Sequence, residues 1–121
     1  MAQEPLRYLD FESSEDEDGN GTFDAMAAAE PAQLPDLKAE VVRVLAWAHD
    51  AFGAPAPLDE GGEWDCELQG VQEVATALDV CWEDRALALQ PRDTGAPRVT
   101  LSVTVSGTAT FASAFRAEFG V

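Results

Sequence analysis

The apolar positions change period along the chain, and each change predicts an element. Between Leu37 and Phe52 they recur every three or four residues. Leu37, Val41, Val44, Leu45, Ala48 and Phe52 share one helical face, while Ala39, Arg43, Ala46 and Asp50 fall opposite. Pro35 and Asp36 suit the first turn, where proline needs no amide partner and a carboxylate meets the positive end of the helix dipole. Gly53 stands where a terminating glycine belongs. A shorter helix closes the chain: Gly107 interrupts the preceding pattern, Thr108 or Thr110 can cap, and Phe111, Ala114, Phe115 and Phe119 line one side.

Elsewhere the period is two. Leu6 to Glu12 alternate loosely and predict a first strand, Asn20-Gly21 supplies a turn, and Thr22 to Met26 return as the second strand. Ala27, Ala28 and Ala29 favour a helix on propensity, which leaves the end of that strand open. Trp64, Cys66 and Leu68 then alternate with Asp65, Glu67 and Gln69. After a turn, Val74, Thr76, Leu78, Val80 and Trp82 form the next inward row, with Ala77, Asp79 and Cys81 outward. Pairing Trp64 with Trp82, Cys66 with Val80 and Leu68 with Leu78 matches apolar to apolar and sets Glu67 opposite Asp79. A tight turn at Asp84-Arg85 brings Leu87 to Trp82 and Leu89 to Val80. Arg92 to Arg98, with Pro91, Gly95 and Pro97, read as a loop, and Val99, Leu101, Val103 and Val105 mark the clearest strand.

The resulting order is β-β-α-β-β-β-β-α. It predicts an α+β fold: an antiparallel sheet of about six strands with two helices packed on one face and the other face wet. Residues 1–121 form one domain, with an acidic flexible loop at 12–21 and a Pro/Gly-rich loop at 53–62.

Composition narrows the function classes. The 46% hydrophobic and 8% aromatic content supports an ordinary core. The 23 acidic and 7 basic residues give a formal charge of −16. Such a surface repels phosphates and anionic lipids, which argues against nucleic acid and membrane and in favour of a basic partner or a cation. The charge is uneven: residues 1–30 hold nine acids and one base, residues 86–121 two acids and three bases. No apolar run approaches the ~20 residues that span a bilayer, and the N-terminus lacks a basic-then-apolar leader, so a soluble, cytoplasmic protein is expected. Six arginines against one lysine, with abundant alanine, fit a GC-rich bacterial genome. Cys66 and Cys81 are too few for a disulfide scaffold and too far apart for a C-x-x-C site.

The sharpest motif is Asp16-x-Asp18-x-Asn20-Gly21-x-Phe23-Asp24. Oxygen ligands at its first, third, fifth and ninth positions, glycine at the sixth and an apolar residue at the eighth are what an EF-hand calcium loop requires. The pattern fails at the twelfth position, where Ala27 replaces the bidentate glutamate, and a strand precedes it instead of a helix. A looser calcium loop through Asp16, Asp18, Asn20 and Asp24, completed by Glu12, Glu15 or Glu30, competes with a solvated hairpin tip.

The other constellation is the outward face of Asp65, Glu67 and Asp79. Like charges across a ladder cost stability, which a basic partner would recover, or which Arg85, Arg92 or Arg98 would remove from within. Catalytic equipment is sparse. His49 sits near a helix C-terminus, where the dipole favours its cation; Cys66 follows the inward row as a small hydrophobe; Cys81 points outward. Trp64 and Trp82 share the inward row and are expected in the core, with Trp47 at the margin of the helical stripe. No phosphate loop, dinucleotide fingerprint or nucleophile elbow occurs. The expectation is a non-catalytic acidic domain, monomer or homodimer, that engages a basic protein surface as an inhibitor, immunity-type protein, adaptor or nucleic-acid mimic. Its contacts would be Glu15, Asp16, Glu17 and Asp18 together with Asp65, Glu67 and Asp79. Calcium binding is the alternative.

Overall fold

The computed structural model describes residues 5–121, the side chains of Asp93 and Thr94 excepted. Its elements run β1 (Glu12–Glu15), β2 (Gly21–Ala29), α1 (Leu34–Phe52), β3 (Trp64–Glu83), β4 (Ala86–Gly107) and α2 (Ala109–Phe119), with a single 3-10 turn at Leu58–Glu60. The strands form one antiparallel sheet in the order β1-β2-β4-β3. The α+β class, the antiparallel sheet, the two helices and the order of element types are as the periodicity predicts. The count of about six strands is not. The four strands expected after α1 merge into two, of 20 and 22 residues.

Two corrections explain the merger. The first concerns the turn expected between Leu68 and Val74, which does not form: Gly70 keeps an extended backbone, and β3 runs straight through it against Leu101 of β4. Cys66 therefore faces Val105 and Leu68 faces Val103, not Val80 and Leu78. The straight path also keeps Glu67 away from Asp79, since Glu67 pairs with Thr104 and Asp79 with Gln90. The second concerns the loop expected at residues 92–98, which is part of β4. Register shifts between Val74 and Leu78 absorb two extra residues of β4 as bulges, and Pro91 and Pro97 pair with Leu78 and Val74. Proline is tolerated there because both strands of a two-stranded ribbon are edges, and bulges free an amide position from the ladder. The turn at Asp84-Arg85 does form. Both residues take positive φ, 49° and 64°, the mirror-image geometry that matches strand twist, and Leu87 pairs with Trp82 as expected.

The core lies under the helices on one face of β2, the C-terminal half of β4 and the start of β3. Phe23, Ala25, Ala27 and Ala29 of β2 alternate inward with Val103 and Val105 of β4 and Trp64 of β3. Leu37, Val44 and Ala48 of α1 and Phe111, Ala112 and Phe115 of α2 close over them. The alanines that favour helix on propensity stay in β2 through their pairing with residues 99–101 of β4. Gly21 and Gly107 are ladder partners, and a Cβ on Gly21 would come within 2.7 Å of Ala112 Cβ, so the bare backbone at this pair is what lets α2 sit down on the sheet. Thr108 caps α2 by accepting from the Phe111 amide, and its own hydroxyl donates to Glu63.

The chain before β1 departs from the expected first strand. Residues 5–11 are irregular and the strand begins only at Glu12. Glu40 of α1 is the cause. Its buried carboxylate accepts from the amides of Arg7 (2.8 Å), Tyr8 (2.9 Å) and Leu9 (2.7 Å), which removes those donors from any ladder and ties the segment to the helix. Leu9 and Phe11 thereby enter the core. The stretch 12–21 divides into β1 and a tight turn at residues 16–20. Among the described residues no helix is long and apolar enough to cross a membrane.

Candidate interaction surface

Beyond the pairing of Ala29 with Val99, β2 ends, and β3 and β4 continue alone as a two-stranded arm of residues 73–98. From Glu73 to Glu83 the arm rises about 35 Å at ~3.3 Å per residue. Neither helix covers it.

Strand alternation decides what the arm presents. The face that carries Trp64 and Cys66 in the body also carries Leu68, Val74, Leu78, Val80 and Trp82 farther along β3, and opposite them Leu87, Leu89 and Val99 of β4. The apolar face of the arm is thus the core face of the sheet, extended past the helices. Leu68, Val74, Leu78, Val80, Trp82, Leu87 and Leu89 are 46–71% exposed, whereas Trp64 is 2% exposed. Trp82, expected in the core, is the correction: it lies on the right face, but where no helix reaches. The positions on this face from Cys66 to Trp82, and their partners at residues 87–91 and 97–105, carry no charge. On the arm the opposite face is polar or small, with Glu73, Asp79, Cys81, Ala88, Gln90 and Arg98, while the exposed Val71 lies on that face just before the arm begins.

The acids singled out from the sequence separate. Asp65 and Glu67 remain near the body, with Asp65 Oδ1 accepting from the Cys66 amide at 2.9 Å. Asp79 lies on the arm and pairs with Arg92 (3.4 Å), one of the arginines expected to neutralise it. The three do not form one patch. Glu15 belongs to β1 and meets Arg116 of α2 at 2.7 Å, while Glu17 and Asp18 are exposed at the adjoining turn.

The calcium motif divides as well. Asp16 closes the turn: Oδ1 accepts from the amides of Asp18 and Asn20 and Oδ2 from Asn20 Nδ2, each at 2.9 Å. These bonds, the Asn20 side-chain bond foremost, hold the Asp16 carboxyl below its ordinary value of 3.8. Asp24 sits apart on β2, accepting from Thr104 Oγ1 at 2.7 Å. Among the described residues no group of three or more His, Cys, Asp or Glu is disposed to hold a metal ion. A cation at Asp16 would have to displace the turn's own donors.

Nor do nucleophile and base meet. His49 is exposed on α1, Cys81 is exposed on the arm, and Cys66 is half-buried against the core, where burial first and the Asp65 charge second push its thiol above 9.0. Such a thiol is a poor nucleophile. Trp47 lies among Phe52, Phe111, Phe115 and Phe119, and Trp64 stacks on Phe111 while donating Nε1–H to the Gly53 carbonyl at 2.8 Å, so both serve packing. Sequence reading missed the arm and the Glu40 staple. The first was signalled by the unbroken even parity from Trp64 to Trp82, the second by an acid on the apolar stripe between Leu37 and Val44. Compared with protein-family models, with curated proteins and with solved structures, the chain matches none of them.

Proposed function

We propose that the chain is a non-catalytic interaction module whose docking element is the hairpin arm. The observation that carries this reading is the apolar row along one face of residues 68–89, interrupted on β3 at Gly70, Gln72 and Thr76, charge-free among the described side chains and continuous with the core face yet left bare. An isolated two-stranded ribbon is marginal in water, and exposed apolar patches of this extent belong to surfaces that dock. The acidic body has the second role. Residues 73–98 hold five acids and three bases, so the remaining eighteen acids and four bases put a formal −14 on the rest of the molecule. That field favours a basic partner surface and steers it in, as an adaptor or inhibitor would require.

The test is a triple substitution, Leu78→Ser, Val80→Thr and Trp82→Ser, with circular dichroism and melting to verify the body. The parent chain should either occupy its arm in an assembly or, as a monomer, bind a neutral apolar dye such as Nile red; the triple variant should do neither. A folded triple variant indistinguishable from the parent in both respects rejects the reading.

A further inference from the structure

We infer that the occupant of the arm is a second copy of this chain, the two arms packing apolar face to apolar face in antiparallel orientation about a two-fold axis. The inference rests on the interaction-module reading and names its partner.

Area comes first. The exposed parts of Leu68, Leu78, Val80, Trp82, Leu87 and Leu89, with Val74 and the prolines beside them, amount to roughly 700–800 Å² of mostly apolar surface, against the ~800 Å² each partner gives to a standard stable interface. A patch of that size exceeds what a monomer ordinarily leaves bare, and two copies supply it symmetrically.

Charge then selects the partner and the orientation. Among the described side chains this face carries no ionised group, so it offers a basic or acidic protein nothing to complement, whereas it complements itself. Two chains of −16 repel each other, so side-by-side bodies would oppose the contact. Antiparallel arms place the bodies at opposite ends, about 35 Å of ribbon apart, against a screening length of ~8 Å at physiological salt. The polar faces with Glu73, Asp79 and Arg98 then point outward on both sides, and the layers stack as sheets do, ~10 Å apart. Dimerisation also completes the function proposed above, since it presents two acidic bodies on one rigid spacer.

Sedimentation of the full chain from 1 to 100 μM, in 50 and 500 mM sodium chloride, tests this together with emission from Trp82. A species of twice the 12.9 kDa chain mass is expected, tightening as salt rises because screening relieves body repulsion. On dilution Trp82 emission should shift to the red, and Trp82→Phe should abolish that shift while leaving Trp47 and Trp64 as folded-body controls. Leu78→Asp places an unpaired charge in the face and should weaken the dimer by 100-fold or more with the body's melting unchanged; Cys81→Ser, on the polar face, should leave it intact. A dimer that survives Leu78→Asp, or whose Trp82 stays in water, overturns the arm interface. A parent chain monomeric at 100 μM that binds Nile red or phosphatidylcholine vesicles through the arm overturns the second copy as occupant but leaves the docking arm standing. A monomer that binds neither dye nor vesicle removes both.

Discussion

Trp64 and Trp82 lie on the same strand and the same sheet face, and differ only in how far along it they stand. Trp64 is 2% exposed, stacked on Phe111 with its indole N–H satisfied; Trp82 is 71% exposed at the tip of the arm. The body and the arm share one alternation rule, one ladder and one apolar face. What separates them is the reach of α1 and α2. The lesson is physical: alternation states which way a side chain points, and only the third layer states whether it is dry. An apolar face that outruns its helices asks for a cover from elsewhere.

The largest effect expected from this contrast comes from truncating one aromatic in each region. Phe111→Ala should cost about 3–5 kcal/mol, because Phe111 is fully buried among Trp47, Phe52, Trp64 and Phe115 and leaves a cavity. Trp82→Ala, made in the Leu78→Asp background that keeps arms apart, should change the body's stability by no more than about 0.5 kcal/mol. Urea unfolding followed by far-ultraviolet circular dichroism measures both. Equal losses would mean that the arm is integral to the fold and would erase the distinction.

The Glu40 staple gives the next effect and tests the body alone. Glu40→Ala leaves the amides of Arg7, Tyr8 and Leu9 without their acceptor and should destabilise by about 2–4 kcal/mol. Glu40→Gln should cost less, since its carbonyl oxygen still serves Tyr8 and Leu9 while its amide group meets the Arg7 N–H donor to donor. Hydrogen exchange at Arg7, Tyr8 and Leu9 reports the loss residue by residue, and unchanged protection in Glu40→Ala would refute the assignment.

These cases also mark how far the sequence could be read. The helices, the stop at Gly53, a cap at Thr108 or Thr110 and the Asp84-Arg85 turn were legible because each rests on local chemistry: period, cap or backbone hand. The extent of β3 was not. Between Leu68 and Val74 a turn and a continued strand point the same alternating residues to one face, and only pairing with Val99–Val103, more than 25 positions away, decides between them. The expected carboxylate cluster fell with that register, because on one long strand Asp79 keeps the face of Asp65 and Glu67 but lies twelve residues beyond Glu67. Glu40 escaped notice because its partners are backbone amides, which leave no mark in the side-chain pattern.

The arm can be sharpened at its turn. Asp84 and Arg85 both hold positive φ, where Asn and Gly carry less strain, so Asp84→Asn with Arg85→Gly should favour the closed hairpin by up to about 1 kcal/mol. Amide exchange along residues 78–91 should slow about fivefold while the body's amides are unchanged. Faster exchange, or an equal change in the body, would show that the arm's stability is not set at its tip.

The smallest effect lies at the other hairpin turn, and its sign follows from the bonds to Asp16. That carboxylate is fully exposed, yet the Asn20 amide group and the turn amides favour its charged form and hold its pKa below 3.8. A depressed carboxyl pKa contributes stability that is complete above the unfolded value near 3.8 and is lost as the pH falls through the folded value. Carbon-detected titration should therefore place the Asp16 midpoint below 3.8. Asp16→Asn keeps an oxygen for the turn amides and should flatten only this acid limb, leaving the arm and its assembly unaffected at neutral pH. A midpoint at or above 3.8 would mean that the turn does not close through Asp16, and its carboxylate would then be free for a cation after all.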